Sequence, residues 1–155
     1  MTFRIGGLDP APFRPLYGLD DAALAARGAQ RMTVDGRPGY PDRITLREAA
    51  PGTTVLLLNH ESLPAGSPFH ARHAIFVPEG ADTACTVEDE IPEVMRHRKL
   101  SLRGFDGGGM MRDAALCDGS TLRGLIARLF RDPDIVEIHA HNAARGCYCA
   151  RITRA

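Results

Sequence analysis

The stretch Glu137–Thr153, EIHAHNAARGCYCARIT, decides how this sequence reads, because two alternating runs flank a turn-prone gap. In the first run, Val136, Ile138 and Ala140 alternate with Glu137, His139 and His141. In the second, Tyr148, Ala150 and Ile152 alternate with Cys147, Cys149, Arg151 and Thr153. Successive side chains of a strand point to opposite faces, so each run carries one apolar face and one chemically rich face. Asn142 and Gly146 in the gap tolerate positive φ, and the segment predicts a β-hairpin. Pairing symmetric about Ala144 sets His141 opposite Cys147, His139 opposite Cys149 and Glu137 opposite Arg151. A loop at Ala144–Gly146 shifts the partners by two and sets His141 opposite Cys149, with the faces unchanged.

Working outward, the other segments read as short strands and a few helices. Leu122, Leu125, Ile126, Leu129 and Phe130 repeat at helical spacing between Asp118-Gly-Ser120 and Pro133, the clearest periodicity in the chain. A second helix is expected to open at the capping-box-like Thr86-Val-Glu-Asp89 and run to the basic Arg96-His-Arg-Lys99, with Val87, Ile91, Val94 and Met95 on one stripe. A short one is expected from Asp20 or Asp21 through Arg27, stopped by Gly28. Strands are predicted at Arg31–Val34, Arg43–Leu46, Thr53–Leu58, Ala71–Val77, Leu100–Arg103 and Met110–Leu116. The proline-rich Asp9–Leu16 predicts an extended arm. With no internal repeat and no strict strand–helix alternation, the pattern predicts a single α+β domain with a mostly antiparallel sheet and a C-terminal β-hairpin.

The totals narrow the function classes. The 155 residues fit one domain, and 19 basic residues balance 19 acidic ones. There is no global positive field and no tryptophan to offer a stacking platform, so no nucleic-acid partner is expected. Neither a signal-peptide-like apolar run nor a membrane-spanning stretch is present, the longest apolar run lying around Val55–Leu58. The chain is therefore expected to be cytoplasmic, with no membrane association and with its four cysteines as free thiols or metal ligands.

Three chemistries compete at the hairpin. His139, His141, Cys147 and Cys149 bear the donor atoms that Zn²⁺ takes. The one-residue gaps on a flat face, however, are awkward for tetrahedral wrapping. A thiol centre would use Cys147 as nucleophile and His141 as base, with Arg43 or Arg151 adding positive potential and Arg43 and Asn142 holding an anionic or carbonyl group of a small molecule. His73 joins that ligand-binding set, although a satisfied strand histidine explains it as simply. The plainest reading is structural: free cysteines are small buried hydrophobes, and polar strand faces often meet a covering loop. No cofactor is required by any of these, Zn²⁺ being the ion of the first. A non-catalytic interaction module is the remaining class, its hairpin edge pairing with a partner or with itself as a homodimer. The loop Asp106–Gly109 lacks the Gly-Lys-Ser/Thr ending of a phosphate loop and reads as a turn.

The segments MTFRIGGLDPAPFRPLYGLDDAALAARGA, GYPDRITL, TVLLLNHE, SPFHARHAIFV and HAHNAARGCYCARITRA together resemble the bacterial domain-of-unknown-function family 1203 along nearly the whole chain. The resemblance implies no particular activity. The family pattern often has cysteine in the Tyr-Pro-x-Arg turn, where this chain has Asp42 and retains Arg43. Its Gly-Cys-Tyr corresponds to Gly146, Cys147 and Tyr148, and Cys149 stands where a small or apolar residue is usual. The resemblance thus gives Cys147 more weight than Cys149 and nominates Arg43, Asn142 and Cys147.

Overall fold

Two antiparallel sheets make the frame in a computed structural model that describes Met1–Ala155 throughout. The larger has six strands in the order β5-β1-β9-β8-β6-β7: β1 (Phe3–Gly6), β5 (Thr86–Glu88), β6 (Lys99–Phe105), β7 (Met111–Asp118), β8 (Glu137–Asn142) and β9 (Tyr148–Arg154). The smaller has three, β2 (Gln30–Thr33), β3 (Thr54–Leu63) and β4 (Ala71–Pro78), in chain order. The fold is the expected α+β class, with β8 and β9 forming the C-terminal hairpin.

One face of the larger sheet is apolar because Leu100, Leu102, Ile138, Ala140, Ala150 and Ile152 alternate onto it. The helix α3 (Leu122–Leu129) covers that face with the buried stripe Leu122, Ile126 and Leu129, as its spacing predicts. A second core forms where Leu56, Leu58, Ile75 and Val77 of the smaller sheet pack on Leu24 of α1 (Asp21–Ala26) and on Phe13 and Ile44. Asp20 caps α1 by accepting from the Ala23 N–H at 2.7 Å, and Gly28 ends it at φ +69°.

Three local expectations are corrected. Thr86–Glu88 is strand β5, since Val87 pairs opposite Ile5 of β1 and Asp89 N–H donates to the Phe3 carbonyl; the helix there shrinks to one turn, α2 (Glu93–Arg96), after Pro92. Arg43–Leu46 is a turn, because the buried Asp42 carboxylate accepts from the backbone N–H groups of Ile44 and Thr45 and from the Thr45 hydroxyl. Asp9–Leu16 folds into turns ending in a 3₁₀ helix at Arg14–Leu16 and is not extended. The short β1 ahead of it was not legible as a strand; it is ordered by pairing with both β5 and β9.

The hairpin itself departs from strict alternation. Glu137 pairs with Thr153, His139 with Arg151 and Ala140 with Ala150, but His141 pairs with Tyr148, so Cys149 is the extra residue of a β-bulge. The register symmetric about Ala144 does not occur; the one shifted by two holds from Glu137 to Ala140 and breaks only at His141, which meets Tyr148 in place of Cys149. The bulge turns Tyr148 onto the histidine face and sends Cys149, 1% exposed, into the apolar core beneath the helices.

Candidate functional site

The face of the larger sheet away from the helices carries His139 and His141 on β8 and Tyr148 on β9, where the smaller sheet meets it with His60 and His73. His60 and His73 are cross-strand neighbours in β3 and β4. Their rings lie 5.4 Å from Tyr148 and 5.0 Å from His141, centroid to centroid. His141 Nδ1 donates to the Gly146 carbonyl at 2.9 Å, which leaves Nε2 as the lone-pair nitrogen of a neutral ring. Burial, chiefly, drives the His141 pKa down to about 3 and that of His60 to about 4, and also lowers that of His73. His139 sits against Glu137 at 3.0 Å, and Glu137 in turn takes Arg151 Nε. The hydrogen bond from His139 holds the Glu137 carboxyl below the usual range, with Arg151 adding to it. Arg151 thus serves an ion pair between the neighbouring strands β9 and β8 and does not line the cleft at Cys147.

Beside this ring layer stands the second constellation. The guanidinium of Arg43, 1% exposed, lies between the Pro41 carbonyl and the hairpin. Its Nε donates to the Tyr148 carbonyl at 2.8 Å, Nη1 to the Pro41 carbonyl, and Nη2 to Cys147 Sγ at 3.2 Å. Asn142 Nδ2 donates to the same sulfur at 3.3 Å. No carboxylate pairs with Arg43; the adjacent Asp42 turns its oxygens to Ile44 and Thr45. Burial raises the Asp42 pKa, opposed by those hydrogen bonds.

The local geometry explains why these three side chains meet. Gly146, at φ +74°, closes a short loop in which Gly146 N–H donates to the Asn142 carbonyl at 2.8 Å and Asn142 N–H to the Cys147 carbonyl at 2.9 Å. Asn142 and Cys147 are thereby held side by side at the neck of the hairpin. The Arg43 backbone is fixed from two sides, with its N–H on the Phe76 carbonyl at 3.2 Å and its carbonyl accepting from Leu8 N–H at 2.7 Å.

Of the residues nominated by the sequence, Arg43, Asn142 and Cys147 come together. His141 makes no hydrogen bond to Cys147: its Nδ1 donates to the Gly146 carbonyl, and the donors to the sulfur are Arg43 and Asn142. His139, His141, Cys147 and Cys149 do not converge on one point, and no group of three or more His, Cys, Asp or Glu side chains could hold a metal ion. The bulge is the reason, since it moves Cys149 out of that face.

Above Cys147 opens a cleft of about 650 Å³, lined by Arg43, Arg72, Arg98, Arg145, Asn142 and His73 among others, and by no carboxylate. Arg72, Arg98 and Arg145 were not nominated by the sequence. They arrive from β4, from the end of α2 and from the hairpin loop, and no local pattern links those segments.

The family model described as protein of unknown function, DUF1203, matches residues 39–154. The chain belongs to the DUF1203 family. The DUF1203 match spans Arg43, the smaller sheet's β3 and β4 and the whole hairpin, while β1 and α1 precede it. No curated protein and no solved structure matches the chain.

Proposed function

We propose that this protein binds a small anionic molecule in the cleft over Cys147 and that the Cys147 sulfur, as thiolate, is its reactive nucleophile, in the reducing setting of the cytoplasm. The observation that carries the reading is the fully buried Arg43 with no carboxylate partner and one N–H aimed at Cys147 Sγ. A guanidinium stays charged in a protein, and a buried charge left without a counter-charge is costly. A thiolate at Cys147 meets that need, and a cation plus an amide donor at a sulfur is the setting of reactive cysteines. The arginine-lined cleft supports an anionic ligand for the same electrostatic reason. His141, neutral and tied to the Gly146 carbonyl, braces the hairpin loop that carries Cys147; proton acceptance is left to the ligand or to solvent.

The test is alkylation of the folded protein with iodoacetamide at pH 7, mapped by peptide mass spectrometry. Cys147 is expected to react at least tenfold faster than Cys85, Cys117 or Cys149, and Arg43→Gln is expected to abolish the advantage. Alkylation of Cys147 no faster than that of Cys85 sinks the proposal.

A further inference from the structure

We infer that Cys147 exchanges with disulfides of low-molecular-weight thiols that carry carboxylates, forming a mixed disulfide in the cleft; the inference rests on the reading of Cys147 as nucleophile. The first support is the absence of a partner within the chain. All four cysteines are free. Cys149 is sealed in the core under the helices, and Cys85 and Cys117 pack against that same core, on the far side of the sheet from the cleft. Any disulfide at Cys147 therefore takes its second sulfur from outside the molecule.

The second support is the charge and size of the space that second sulfur would enter. Arg145 is exposed on the hairpin loop and makes no hydrogen bond or ion pair. Arg72 uses Nε on Asn59 and Nη1 on Glu61, and Arg98 uses Nη1 on Val94 and Glu48, so each keeps Nη2 free. Three guanidinium groups thus surround Cys147 with donor capacity to spare, in a geometry suited to carboxylates. The cleft volume of about 650 Å³ falls within the range of small-molecule sites and accommodates a tripeptide-sized thiol. Leu57 and Phe76 supply apolar wall for its uncharged stem.

The chemistry balances without a further reagent. The Cys147 thiolate attacks one sulfur of the disulfide R–S–S–R; a new S–S bond forms, the substrate S–S bond breaks, and R–S⁻ leaves to take a proton from solvent. A second molecule of the same thiol, as thiolate, attacks the mixed disulfide, releases the Cys147 thiolate and reforms R–S–S–R.

The experiment measures mixed-disulfide formation at Cys147 by mass spectrometry at pH 7 and low salt with three probes: oxidised glutathione, neutral 2-hydroxyethyl disulfide and cationic cystamine. Each rate is divided by that of the urea-unfolded chain with the same probe. Oxidised glutathione is expected to exceed 2-hydroxyethyl disulfide at least tenfold, with cystamine slowest. The double variant Arg72→Gln, Arg145→Glu is expected to bring the glutathione-to-neutral ratio within threefold, its fold checked by circular dichroism. Similar normalised rates for all three probes, or no glutathione adduct, with Cys147 still alkylated first by iodoacetamide, would overturn this inference and leave the nucleophile standing. Slow alkylation as well would remove both.

Discussion

Arg43 carries more of this site than its single charge suggests. One guanidinium satisfies two backbone carbonyls, of Pro41 and Tyr148, and reaches Cys147 Sγ, all away from water. A lysine offers a point charge in place of a planar fork and cannot serve the three directions at once. Arg43→Lys is therefore expected to cost roughly 2–4 kcal/mol in urea denaturation, because it strands buried acceptors. It should also slow Cys147 alkylation at least tenfold. An unchanged denaturation midpoint would show that Arg43 does not tie the turn to the hairpin. Cys149 supplies the contrast. It is a small apolar filler whose thiol pKa is raised by burial, so Cys149→Ala should cost about 1–2 kcal/mol for lost packing. It should leave the Cys147 alkylation rate within twofold; a large drop in that rate would mean the bulge depends on the Cys149 side chain.

The elements that hold these residues were legible to different degrees, and the difference is physical. Helix α3 and the strands β6 and β7 were readable because their burial follows a fixed period, while β8 and β9 were readable from their alternating residue types although both their faces are largely buried. Strand β5 was not, because Thr86–Glu88 is extended only by pairing with β1, more than 80 residues away in sequence (Arg4 against Glu88). The bulge at Cys149 was not legible either. Period-two reasoning placed both cysteines on one face, and one extra residue reversed that for Cys149 and Tyr148 while leaving Cys147 beside Asn142. The trio Arg43, Asn142 and Cys147 was reachable through the family resemblance, whereas the cleft arginines depend on tertiary convergence. The same long-range dependence makes Gly7 an unobtrusive support of the site. A Cβ there would sit 2.0 Å from the Ile44 carbonyl oxygen and 3.1 Å from that of Arg43. Gly7→Ala must push the 43–44 backbone away from β1, with an expected loss of roughly 2–4 kcal/mol by urea denaturation. Cys147 alkylation should slow in parallel as Arg43 is displaced. A variant of wild-type stability would mean that the 43–44 turn shifts without strain.

At the scale of the whole molecule, the two sheets meet through a layer of imidazole rings around Tyr148, and that choice sets the acid limit of the fold. His60, His73 and His141 all have pKa values lowered by burial, to about 4 for His60 and about 3 for His141. The charges facing them reinforce the effect, with Arg103 beside His73 and His141, and Arg72 beside His60 partly offset by Glu61. In the unfolded chain these rings titrate near 6.5, so between that pH and the folded values the unfolded state binds more protons. Their contribution to stability is whole above pH 6.5 and is lost progressively as pH falls through the window toward 4 and 3. Near pH 5, His60 and His141 together should give an uptake of about two protons on unfolding, a slope of roughly 2.7 kcal/mol per pH unit. Urea denaturation at closely spaced pH values from 4.5 to 7.5 measures that slope directly. The double variant His60→Gln, His141→Gln should remove most of it, while Glu61, whose pKa is lowered mainly by its hydrogen bond with His70, acts only at more acid pH. A slope of the same size in the double variant would assign the acid sensitivity to the carboxylates and leave the ring layer with packing alone as its role.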